Sequence, residues 1–187
     1  RDIRAVDPLI NALDDDDARV REQSAWSLGR LQDERAVSHL IEALSDEEWR
    51  VRKLSAWSLG VIGSVEASEN LGFVLVNDDN WRVRKECANA LGRIRDETVI
   101  EPLVDSLSDE DWRVREIVMK ALISVGQPAV EALITTLNAE QPALRDRAAE
   151  VLGAIGDIRA VSALITTINE LPIDLVSTEL IESLGFI

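Results

Sequence analysis

Between Asp33 and Leu44 the apolar residues Val37, Leu40, Ile41 and Leu44 recur at steps of three and four, with polar residues between them. That is the spacing of one face of an α-helix, and it predicts an amphipathic helix of about three turns with Asp33 placed to cap its start. The same pattern runs through Val6, Leu9, Ile10 and Leu13, and through Val99, Leu103, Val104 and Leu107. A short acidic turn follows, such as Ser45-Asp46-Glu47-Glu48, and then a second apolar stripe of Val51, Ser55, Ala56 and Leu59. This stripe predicts a second helix, whose leading carboxylates satisfy free backbone N–H groups and oppose the positive end of the helix dipole.

The two-helix unit is written several times. Glu48-Trp49-Arg50-Val51-Arg52 returns as Asn80-Trp81-Arg82-Val83-Arg84 and as Asp111-Trp112-Arg113-Val114-Arg115, with Arg19-Val20-Arg21 and Ala143-Leu144-Arg145 as reduced copies. Anchoring on Val20, Val51, Val83, Val114, Leu144 and Val176 gives intervals of 31, 32, 31, 30 and 32 residues, the period of a stacked helical solenoid. The fold class is therefore all-α, about six helix pairs, with second helices over 18–30, 49–61, 81–93, 112–124, 142–154 and 173–184. Ala25, Ala56, Ala88 and Ala149 share one position, where second helices are expected to approach closely; Met119 and Ile181 depart from it. Two units are atypical: Ser64–Asn70 lacks the usual Asp-x-Arg-Ala-Val start, and the last pair has Leu175, Val176 and Ser177 in place of the basic pair.

Charge narrows the function classes. With 35 acidic and 20 basic side chains the 187-residue chain carries a formal charge of -15, a field that repels nucleic acid phosphates and anionic membranes. Only Lys53, Lys85 and Lys120 are lysines; such acidity fits either a high-salt cytoplasm or a partner-selecting surface. The single cysteine, Cys87, aligns with Ser24, Ser55, Val118 and Ala148, which predicts a buried thiol rather than a nucleophile. No signal peptide, long apolar run or lipidation motif is present, so a cytoplasmic location is expected. Residues 1–187 read as a single repeat domain; because Arg1–Val6 resembles the interior Gly156–Val161, a section of a longer array is the alternative.

The cycle Gly-Asp-x-Arg-Ala-Val-x-x-Leu-Ile-x-x-Leu, acidic turn, x-x-Val-Arg-x-x-Ala-x-x-Leu-Gly-x-Ile resembles the short HEAT-like repeats first associated with phycobilisome bilin lyases. The resemblance covers essentially the whole chain and implies a right-handed α-α superhelix, a HEAT-like solenoid with second helices lining the concave face where partners bind. It also implies a structural role for the second arginine of each unit, at 21, 52, 84, 115 and 145. These are expected to pair with acids of the preceding turn, such as Asp15, Asp46, Asp78 or Asp109, and so tie repeats together.

On the second helices the repeat stops dictating residue type along an outward ridge. It carries Gln23, Trp26 and Arg30, then Leu54, Trp57 and Val61, then Glu86, Asn89 and Arg93, then Ile117, Lys120 and Ser124, then Arg147 and Glu150. Trp26 and Trp57 hold equivalent places on helices about 8–10 Å apart, so both indoles can meet one partner, with Leu54 as an apolar anchor and Arg30 and Arg93 as polar guides. The competing reading folds the indoles over Ser27 and Ser58 as inter-repeat packing. Trp49, Trp81 and Trp112 form a second ladder, read first as a structural stack. Beside it Arg19, Arg50, Arg82 and Arg113 make a basic strip that either clasps an acidic group or neutralises the helix-start carboxylates.

Catalytic chemistry finds little support. The only histidine, His39, sits between core positions Val37 and Leu40, and the chain lacks the paired histidine-glutamate set of an iron site, a cysteine cluster, an EF-hand or a phosphate loop. No cofactor and no metal are expected. The reading is a non-enzymatic scaffold that binds a protein or peptide at Gln23, Trp26, Arg30, Leu54, Trp57, Glu86, Asn89, Arg93, Lys120, Arg147 and Glu150. A bilin lyase or isomerase-like subunit holding a tetrapyrrole is the alternative, and a helical-repeat DNA glycosylase, disfavoured by charge, is a third class.

Overall fold

The computed structural model describes residues 2–187; the expectation that placed Arg1 in a first repeat start lies outside the described residues. Twelve α-helices are present among the described residues: α1 (Val6–Asn11), α2 (Ala18–Leu31), α3 (Val37–Glu42), α4 (Trp49–Ile62), α5 (Ser68–Asn77), α6 (Trp81–Ile94), α7 (Ile100–Asp105), α8 (Trp112–Val125), α9 (Val130–Thr136), α10 (Pro142–Ile155), α11 (Arg159–Glu170) and α12 (Thr178–Phe186). They alternate as first and second helices of six units and build an α-solenoid.

Four of the six first helices, α1, α3, α7 and α9, are shorter than their apolar period predicts. α3 has only six residues because 3-10 turns bracket it, Glu34–Ala36 before and Ala43–Ser45 after. Asp33 accepts a hydrogen bond from the Arg35 N–H, and Asp2, Asp96 and Asp157 serve the equivalent turns. The second helices of units one to five run fourteen residues each. Asp17, Glu48, Asn80 and Asp111 cap four of them, and Pro142 opens the fifth at a position that needs no N–H. In the sixth unit the expected helix over 173–184 begins later, at Thr178, where Ser177 caps it; Ile173–Leu175 forms a 3-10 turn instead.

Second helices end on a left-handed residue, Gln32, Gly63, Arg95 or Gly156. Gln32 and Arg95 are not glycine, and each side chain reaches the next unit: Gln32 Nε2 donates to the Val61 carbonyl at 2.8 Å and Arg95 Nε to Ser124 Oγ at 3.0 Å. The cross-unit bonds offset the backbone strain.

The core lies between units. Leu28, Leu59, Leu91, Leu122 and Leu152 hold one place on successive second helices and are fully buried, as are Ala25, Ala56, Ala88 and Ala149. The closest approach falls elsewhere, on the glycine that follows four of these five leucines. A Cβ on Gly60 would stand 2.6 Å from Ala90 Cα; one on Gly92, 3.0 Å from Ala121 Cα; one on Gly153, 2.9 Å from Ser183 Cα. A seam of glycine against serine or alanine thus sets the distance between second helices. It is interrupted once, between α8 and α10, where Ile123 stands in the glycine place and Val151 in the small-residue place; these two helices pack less extensively than their counterparts.

Candidate functional site

Three of the second-helix arginines, Arg21, Arg52 and Arg84, pair forward and join successive units. Arg21 Nε and Nη2 grip Asp46 of the following unit at 2.7 and 3.0 Å, while Nη1 donates to the Asp15 carbonyl of its own preceding turn. Arg52 holds Asp78 and Arg84 holds Asp109 in the same bidentate way, with Asp79 and Glu110 as second acids. The expected partner in the preceding turn is therefore corrected: that turn supplies a carbonyl, and the carboxylate comes from the next repeat. Burial pushes the Asp46 and Asp78 carboxyls up, but the arginine fork and a backbone N–H outweigh it and hold both below the ordinary value.

The tryptophan ladder is a stack of alternating rings and cations. The Arg82 guanidinium lies 5.4 Å from the Trp49 ring centre and 4.4 Å from that of Trp81, and Arg113 lies 3.3 Å from Trp81 and 6.0 Å from Trp112. The arginine strip is thus engaged by these rings and by helix-start carboxylates: Arg19 with Asp17, Arg50 with Glu48, and Arg113 with Asp111, whose pKa its partner lowers to about 2.

The ridge residues are arranged unevenly. Gln23, Arg30, Arg93 and Glu150 are exposed, and Trp26 retains 40% of its surface, with the Arg30 guanidinium 5.4 Å from its ring. Trp57, Leu54, Glu86 and Asn89 are half-buried, and Lys120 is exposed but ion-paired one turn away with Glu116. Arg147 departs from the ridge: its Nη1 donates to the Leu107 carbonyl of the preceding unit at 3.0 Å, and burial together with the neighbouring Arg115 lowers its pKa. Val20 is 38% exposed, because α2 has no earlier second helix against it among the described residues.

The row through Trp26, Trp57, Asn89, Lys120 and Glu150 continues to Glu182. There, between α10 and α12, a groove of about 520 Å³ is lined by Glu150, Ala154, Glu179, Glu182, Ser183 and Phe186. Glu179, Glu182 and Phe186 were missed because the sixth unit lacks the basic pair; counting on from Val176 in the same register would have found them.

His39 is half-buried, its Nδ1 3.3 Å from Ser38 Oγ. Among the described residues no three His, Cys, Asp or Glu side chains converge to hold a metal. Among the described residues no single helix is long and apolar enough to cross a membrane. Cys87 is fully buried, and burial pushes its thiol well above the ordinary range.

Known proteins share this architecture. The phycocyanin lyase complex of CpcE and CpcF from Nostoc sp. PCC7120 aligns with a TM-score of 0.60 at 22% identity, over 97% of this chain and 92% of that one. A designed armadillo repeat protein in complex with the peptide (KR)4 aligns with a TM-score of 0.64 at 17% identity, over 97% of each chain. Human deoxyhypusine hydroxylase aligns with a TM-score of 0.50 at 21% identity, over 100% of this chain and 85% of that one. These likenesses are of fold. Among curated protein sequences none matches significantly. The family model described as HEAT repeats matches residues 6–72, 68–135 and 114–185, and on that match, which spans nearly every unit, the chain belongs to the HEAT repeat family.

Proposed function

We propose that the protein is a non-enzymatic scaffold that binds an extended segment of another protein along the row of its second helices. The observation that carries this reading is the pair Trp26 and Trp57 at equivalent positions of α2 and α4, beside the half-buried Leu54 and the exposed Arg30. Amphipathic aromatic groups of this kind are the common anchors of protein interfaces. At the other end of the row Glu150, Glu179 and Glu182 stand around Phe186, so the preferred segment is apolar where it meets the tryptophans and basic where it meets the α10–α12 groove. The structural likeness to a designed repeat protein holding a (KR)4 peptide agrees with that polarity.

The tetrapyrrole reading draws on the likeness to the phycocyanin lyase subunits. It fits less well, because three carboxylates line the groove and repel the propionates of a bilin. Replacing Trp26 and Trp57 together by alanine tests both readings. Partners captured by the intact protein are expected to be lost from the double variant while its helical circular dichroism is retained; undiminished capture would refute the scaffold reading. An absorbance change on mixing with bilin would favour the alternative.

A further inference from the structure

Three contact systems join units two, three and four, and all three lapse at the next boundary, between α8 and α10. The glycine seam is broken by Ile123 and Val151. In the arginine ladder, Arg115 fastens Nη1 to the Asp109 and Glu110 carbonyls as its counterparts do, but the place of Asp46, Asp78 and Asp109 in the next turn is taken by Ala139. Among the described residues no carboxylate fills its fork. In the ring stack, Arg82 covers Trp49 and Arg113 covers Trp81, but the corresponding cover for Trp112 is Ala143, and Trp112 is left 62% exposed.

The complete junctions show what these groups accept. Asp78 enters the Arg52 fork while Arg82, four residues on, lies over Trp49; Asp109 enters the Arg84 fork while Arg113, again four residues on, lies over Trp81. Acid and arginine arrive together on one helix start. At the fourth junction both side chains have been cut back to methyl groups, leaving a half-buried guanidinium and an exposed indole face. Arg147 adds a second positive charge beside Arg115 in an otherwise acidic molecule.

We propose that the α8–α10 junction is a docking site for a helix start of another protein, whose carboxylate enters the Arg115 fork and whose arginine, four residues later, lies over Trp112. The incoming pair supplies the two side chain types that the next unit supplies at the complete junctions and that Ala139 and Ala143 lack here. Desolvated charge pairs and cation–ring contacts together give such a site direction as well as attraction. The site is separate from the Trp26–Trp57 row and does not rest on it.

The probe is a synthetic peptide of residues 77–94 of this chain with Trp81→Phe, which presents Asp78 and Arg82 at the required spacing. Titrated into the full 15N-labelled chain, it is expected to shift the Trp112 indole N–H and the Arg115 side-chain signals saturably. A control peptide with Asp78→Asn and Arg82→Gln loses both charged contacts and should bind at least about tenfold more weakly. The double variant Ala139→Asp/Ala143→Arg supplies both groups from within, so it should melt at a higher temperature and lose the peptide. Trp112→Ala, at an exposed position, should weaken the peptide without altering the melt. Equal binding by the double variant, equal binding of the control peptide, or no saturable shift would overturn the proposal; Trp26→Ala/Trp57→Ala should leave the titration unchanged.

Discussion

At the scale of the residue, the second-helix arginine shows how one side chain can serve two repeats. Arg84 is buried, holds Asp109 through two N–H groups and returns a third to the Asp78 carbonyl. Arg84→Met strands a buried carboxylate and is expected to cost about 3–5 kcal/mol in urea unfolding. Arg145 occupies the same place in the fifth unit and is equally buried, yet among the described residues its Nε and Nη2 have no partner, because Leu171 stands where the aspartate would be. Arg145→Met removes an uncompensated charge, so its effect is expected to stay within about 1 kcal/mol or to be stabilising. Comparable losses from the two variants would contradict this account. That arginines join the repeats was legible in the sequence. Their direction was not: an aspartate occurs in the turn before and in the turn after, and only the stacking of units places the later one in the fork.

At the scale of the element, helix spacing is set by what is absent. Gly60 lies mid-helix where a methyl group would meet the Ala90 backbone, whereas Gly63 ends the same helix at φ 80° with open space around it. Gly60→Ala forces α4 and α6 apart and is expected to cost about 1–3 kcal/mol by overpacking. Gly63→Ala meets no neighbour and carries only the left-handed backbone penalty of about 1 kcal/mol. Chemical denaturation of the two variants ranks them, and a larger loss at Gly63 would mean that the seam does not fix the spacing. The apolar period located every second helix within a few residues except the last, where Pro172 and the lost basic pair delay the start to Thr178. It overstated α1, α3, α7 and α9, because a stripe at steps of three and four is satisfied equally by short α-helices extended with 3-10 turns.

At the scale of the whole molecule, the acidic field and the arginine ladder act together on pH response. Asp46 and Asp78 titrate below the ordinary value of 3.8, and Asp17, Asp111 and Asp157, each bound by an arginine two residues on, are lowered to about 2. For a carboxyl lowered on folding, the stabilising contribution is complete above its unfolded value and is lost as pH falls through its folded one. Thermal melts should therefore fall in midpoint once the pH passes below 3.8, most steeply toward about 2; a midpoint that holds or rises across that interval would exclude the ladder as a pH-dependent element. The solenoid and the Trp26–Trp57 row were readable from the chain because repetition and its lapses are properties of sequence. The α10–α12 groove and the inward turn of Arg147 were not, because they depend on how neighbouring units meet. The lapse of all three contact systems at α8–α10 bears on cooperativity: where stability is a sum of unit terms and nearest-neighbour terms, the one boundary missing all three is where a block of four units and a block of two are expected to open separately.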